Sequence, residues 1–222
     1  MVQNPDKEKW NEFDWELELR KDDARVCAYA ADLPKYIDLP DEDGVIMTRI
    51  QKHPELAPAG GDWSRLGPVP YDRGDEEDED EDDEEDPARS EANWKKTPCG
   101  PIFRGAAQLA RDWSILFSVV RDPELAIPSM RILCLYGKMM ARSGAIIDMD
   151  SEQEDPVRPR PLKIALCKRL LADINTIMGE MFKLHAHSPL LEQKCQDHED
   201  ALTQMRDILF DVLSALRADK AQ

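Results

Sequence analysis

Four histidines and five cysteines hold most of this chain's capacity for metal or nucleophilic chemistry. His185 and His187, with Cys195 and His198 shortly after, could gather a cation at one end of a helical hairpin. The carboxylate-bridged iron sites of helical bundles ask for more: a Glu three residues ahead of an inward His on each of two helices. The positions three ahead of His53, His185, His187 and His198 hold Ile50, Phe182, Leu184 and Cys195, which excludes that chemistry. The favoured reading makes His185 and His187 solvated turn residues and His198 a satisfied residue in a helix seam.

Asp148, Asp150, Glu152 and Glu154 alternate like the opening of a calcium-binding loop. Such a loop needs Gly at its sixth position and a bidentate Glu at its twelfth. Gln153 and Pro159 stand there, so a solvated connection is expected instead. No phosphate-cradling Gly loop or nucleophile elbow occurs. Arg49 precedes His53 too closely for the Arg–His pattern of helical nucleases. Cys99, in Thr97-Pro98-Cys99-Gly100-Pro101, is the one loop thiol and reads as a bystander. Neither catalysis nor a bound metal or cofactor is expected.

Binding chemistry is better represented. Asp75, Glu76, Glu77, Asp78, Glu79, Asp80, Glu81, Asp82, Asp83, Glu84, Glu85 and Asp86 form one unbroken acidic run. It supplies 12 of the 46 acidic side chains behind a net charge of −17. Such a block cannot bury itself, and as a helix it would repel itself at each i,i+4 contact. It reads as a spacer or as a charge competitor offered to something basic.

The opposing charge lies further on. At about 100° per residue, Arg104, Gln108 and Arg111 point away from the apolar stripe of their helix. Arg131, Lys138 and Arg142 are expected to do the same on the next helix. Antiparallel packing would merge the two faces into a basic patch for nucleic acid, an acidic partner or the acidic run. An ordinary solvated face is the commoner outcome. The overall acid excess opposes constitutive nucleic-acid binding, which needs a net basic surface. Residues 1–74 carry 16 acidic and 10 basic side chains, whereas 102–222 carry 17 and 16.

The elements that would position these groups are helical throughout. Trp15, Leu19, Val26, Tyr29 and Leu33 predict a helix over 8–33, its apolar face widened by Trp10, Phe13 and Leu17 and ended by Pro34. A shorter helix begins at Pro40 and stops before Pro54. From 54 to 101, Pro, Gly and acid replace periodicity, which marks a linker with Trp63, Leu66 and Trp94 as local anchors.

Four helices follow. Ala106, Leu109, Trp113, Leu116 and Val120 mark one over 102–121. Asp122-Pro123-Glu124 starts the next, with Pro128 kinking or delaying it and Gly144 ending it ahead of an acidic loop from Asp148 to Pro161. Leu162 to Leu184 and Leu191 to Leu216 step by three and four, as an antiparallel hairpin does. Seven methionines (130, 139, 140, 149, 178, 181 and 205) fall in this half. They suit a core first and an adaptable groove second.

The expectation is therefore all-α: an N-terminal helical segment (1–53), a Pro/Gly-rich and acidic linker (54–101), and a four-helix bundle (102–222). No secretory signal pattern opens the chain, and the apolar stretch Trp113–Val120 is too short to span a bilayer. An odd number of scattered cysteines suits reduced thiols in the cytoplasm. The leading functional expectation is a non-enzymatic adaptor, scaffold or regulator that binds a protein partner, its acidic linker modulating charge. Two alternatives stand beside it: a nucleic-acid-associated subunit whose basic face the run masks, and an acidic inhibitor of a basic partner.

Overall fold

The computed structural model describes residues 9–61, 63, 97–119, 122–151, 160–184 and 189–218. The acidic run, Leu66, Trp94, His185 and His187 lie outside them. The fold is all-α, with six α-helices and no strand among the described residues. The chain divides into two compact units, Trp10–Glu84 and Met1–Lys9 with Glu85–Gln222.

In the N-terminal unit, α1 spans Glu12–Tyr36. It starts at a capping box: Asn11 Oδ1 accepts from the Phe13 and Asp14 amides at 2.7 and 3.2 Å. Asp14 Oδ2 accepts in return from the Asn11 amide at 3.0 Å. These bonds satisfy amides that the first helical turn leaves without partners. Pro34 does not end the helix as expected. It sits in the last turn, where its ring deprives only one carbonyl of a donor, and the Ile37 amide closes the end on Leu33 O at 3.0 Å.

Helix α2 spans Glu42–Ile50, two residues later than its expected start at Pro40. Asp41 precedes it in the left-handed region with φ of 60°, and its carboxylate folds over Gly44. A Cβ on Gly44 would come within 2.5 Å of that carboxylate, so a side chain there would have to push the Asp41 carboxylate aside. A short 3₁₀ turn, Pro54–Leu56, follows.

The linker boundary expected at 53 falls inside this packed unit. Arg25 Nη1 donates to Leu56 O at 2.9 Å, Lys21 Nζ to Ala57 O at 3.0 Å, and the Ala59 amide to Glu18 Oε2 at 3.1 Å. Arg25 also donates to Glu18 Oε1 at 2.8 Å. The buried side chains of α1 are thus Glu18 and Arg25, while Phe13, Leu17 and Val26 of the expected apolar face are exposed. Trp15, Leu19, Tyr29 and Leu33 of the expected stripe are half-buried, and the fully buried positions belong to a charged pair that satisfies backbone groups.

The C-terminal unit contains α3 (Gly100–Val119), α4 (Pro123–Ser151), α5 (Arg160–Leu184) and α6 (Pro189–Ala218). Each packs on the next and α6 closes on α3, making a four-helix bundle. Residue registers make all four contacts antiparallel. Trp113 Nε1 donates to Ser129 O while Gly144 packs near Phe103. Arg131 pairs with Glu180 while Arg142 pairs with Asp173. Arg160 donates to Leu216 O at the far end of the α5–α6 pair. Gly105 meets Met205 while Trp113 meets His198.

Helix α4 differs most from expectation. Asp122 does cap it, accepting from the Glu124 amide at 2.9 Å. Pro128 does not delay it, because the carbonyl that loses its donor belongs to Glu124 in the exposed first turn. Gly144 does not end it either. Ile146, Ile147 and Met149 are buried and draw the helix on to Ser151, so Asp148 and Asp150 are helical rather than part of a loop.

The core is continuous across the four helices. Trp113, Ile132, Met139, Leu170, Ile174, Ile177, Leu202 and Leu209 are fully enclosed. Four of the seven methionines (139, 149, 181 and 205) are buried, and only Met130 stands fully on the surface. Most of these methionines build the core.

Candidate interaction faces

The expected basic patch does not assemble. Arg104 and Arg111 on α3 are exposed, and neither has an ion-pair partner among the described residues. Lys138 is half-buried. Arg131 reaches Glu180 on α5 at 3.1 Å and holds that carboxylate low together with Lys183, whose contact contributes more. Arg142 contradicts its expected place outright: it is 8 % exposed and ion-paired with Asp173 on α5. The reason is energetic. A buried carboxylate with no counter-charge is costly, and Arg142 is the cation whose register meets Asp173.

The histidines divide. His198 sits in the core, 4 % exposed, with the Tyr136 hydroxyl 2.8 Å from Nδ1 and the Trp113 ring against it at 5.5 Å. Burial pushes its pKa down, Lys194 adds to that, and Asp112 and Asp197 oppose it. Cys195, one turn earlier, is buried too and its thiol is pushed up to about 11. Neither side chain faces outward to share a cation. Among the described residues no group of three or more His, Cys, Asp or Glu gathers as a metal site would require. His53 bonds Glu55, and Arg49 bonds Asp32 and lies over the Tyr36 ring.

Cys99 does stand in the turn that leads into α3, but it is not open to solvent. It is fully buried one residue before α3, where its carbonyl accepts the Phe103 amide at 3.1 Å. Contact with Cys167 and burial push its pKa up, which removes thiolate character at neutral pH.

The feature that sequence reasoning missed is the outer side of α4. Ile127 is 75 % exposed and Met130 59 %, and Cys134, Gly137 and Ala141 are exposed along the same line. With half-buried Ala145 the steps are three, four, three, four and four, one helical stripe of roughly 27 Å. A Cβ on Gly137 would meet nothing within 4 Å. No packing contact therefore demands this mid-helix glycine, which weakens a helix by roughly 0.5–1 kcal/mol against Ala.

Among the described residues, no helix is long and apolar enough to cross a membrane. Compared with protein-family models, curated proteins and solved structures, the chain matches none of them.

Proposed function

We propose that this chain is a non-enzymatic helical interaction protein, working in the cytoplasm, that docks a helix of a protein partner along the outer face of α4. The carrying observation is the exposed apolar stripe from Ile127 to Ala145. Contiguous apolar surface of this kind, flanked along one edge by Arg131 and Lys138, marks interaction sites on soluble proteins. Gly137, Ala141 and Ala145 let a second backbone approach closely, while Ile127 and Met130 give bulk at one end. The partner is an amphipathic helix whose large apolar side chains rest on the small residues.

The nucleic-acid alternative is weakened by the burial of Arg142 and by the engagement of Arg131. Charge competition by the acidic run keeps only Arg104, Arg111 and Arg131 as exposed targets. The inhibitor alternative needs no basic patch and rests on the run alone.

The test is affinity purification with the intact chain beside its Ile127→Asp/Met130→Asp variant, then reconstitution of the complex from purified components. A protein retained by the parent, lost by the variant and still bound at about 1 M salt, where charge is screened within about 3 Å, is the expected result. Equal retention by both proteins, or retained nucleic acid released by salt, would overturn the reading.

A further inference from the structure

A second surface lies in the N-terminal unit and owes nothing to α4. Between α1 and α2 a groove of about 230 Å³ opens, lined by Asp22, Arg25, Val26, Tyr29, Met47 and Ile50. Its floor is apolar: Ile50 is buried and Met47 half-buried, while Val26, 61 % exposed, forms one lip. Asp22, Val26 and Tyr29 stand at i, i+4 and i+7 on α1, so one helix face supplies that whole wall.

The net charge around the groove is negative. Arg25 lines it, but its donors are taken by Glu18, Asp22 and Leu56 O. Asp22 keeps a side chain that is 53 % exposed. At the other end the Tyr29 hydroxyl bonds Asp43, an exposed carboxylate beside Glu42 in the first turn of α2. Residues 10–61 carry twelve acidic and six basic side chains in all.

An apolar slot with acid at both ends and its one cation neutralised fits one kind of occupant. We infer that this groove binds a short basic amphipathic segment of a protein partner, one bulky apolar side chain entering over Ile50 and Met47 and flanking Lys or Arg residues meeting Asp22 and Asp43. The apolar anchor gives affinity, and the two acidic ends set orientation and exclude acidic competitors.

The probe is an acetylated, amidated peptide of about 14 residues with Leu and Lys at helical spacing, beside a control with Ser for every Leu. Binding to the full chain is followed by amide chemical shifts and calorimetry. The Leu/Lys peptide should shift the amides of Val26, Tyr29, Met47 and Ile50, and the Ser control should not. Val26→Asp, at an exposed position that leaves the fold intact, should weaken binding about tenfold or more. Asp22→Asn with Asp43→Asn should weaken it severalfold and flatten its dependence on salt. Deleting Asp75–Asp86 should leave the Val26-sensitive binding in place, and Met130→Asp should not touch it.

Equal binding by the parent and Val26→Asp would overturn the inference. So would loss of binding when Asp75–Asp86 is deleted, since the peptide would then be reading the acidic run. Concentration-dependent self-association abolished by Val26→Asp would also overturn it, by making the occupant a second copy of this chain. Failure of the α4 face alone would leave this groove standing.

Discussion

The Tyr136 hydroxyl and His198 Nδ1 lie 2.8 Å apart across the diagonal of the bundle, joining α4 to α6 through its centre. Trp113 of α3 closes over the same imidazole and fixes its own indole on Ser129 O at 3.1 Å. Three of the four helices thus meet at one polar point inside an apolar core. The imidazole must stay neutral there, since protonation would place a charge where water cannot reach it.

That requirement sets a pH dependence. His198 is held below its ordinary 6.5, chiefly by burial, so the unfolded chain binds the proton more readily. Its contribution to stability is full above about pH 7 and is lost as pH falls through 6.5 toward the folded-state value. Urea denaturation between pH 7.5 and about 5.5 should show the bundle weakening, and His198→Phe should flatten that slope. An unchanged slope would assign the loss to other groups.

The Arg142–Asp173 pair should behave as a buried pair does. Arg142→Met alone leaves an enclosed carboxylate and should cost about 3–5 kcal/mol in denaturant unfolding. Adding Asp173→Leu should recover most of that loss, because the desolvation of both charges is then avoided. A single variant as stable as the parent would mean that the carboxylate reaches water.

Gly137→Ala should separate stability from binding. The added methyl meets no atom within 4 Å and favours the helix, so the free protein should gain about 0.4–1 kcal/mol. Partner affinity should fall, because the closest approach on α4 has been filled. A gain in both would leave the stripe without a partner helix.

Leu170 and Leu209 are both fully enclosed, on α5 and α6. Leu170→Asp or Leu209→Asp should each destabilise the bundle by roughly 3 kcal/mol or more, through an unpaired charge in the core. Thermal unfolding followed by circular dichroism measures this directly.

The α5–α6 hairpin was readable because each helix carries one apolar stripe. Leu166, Leu170, Ile174, Ile177 and Met181 had only one way to face. Helix α4 was harder, since Ile132, Tyr136, Met139 and Ile146 form one stripe and Ile127, Met130, Cys134 and Ala141 another. A helix apolar on two sides does not say which side is the core.

Arg142 escaped for a related reason. Its place follows from Asp173 and Glu180, seven apart on the apolar helix α5, facing Arg131 and Arg142, eleven apart on α4. Those spacings each select one helix face, a signal that sequence contained but that needed the antiparallel register to be read. The N-terminal unit was least legible. Its buried contacts run from Glu18 and Arg25 to backbone groups of residues 56 and 59, and backbone donors and acceptors leave no trace in side-chain pattern.

Cys134 sits midway along the exposed line of α4, while Cys99, Cys167 and Cys195 are enclosed and Cys27 stands exposed on the other unit. The native chain therefore carries two thiols open to alkylation and three that are shielded. Modification at Cys134 reads the occupancy of one helix face, and modification at Cys27 in the same molecule calibrates it. An unaltered protein, mixed with any suspected binder and pulsed with a maleimide, would carry its own footprinting reagent target and its own internal standard.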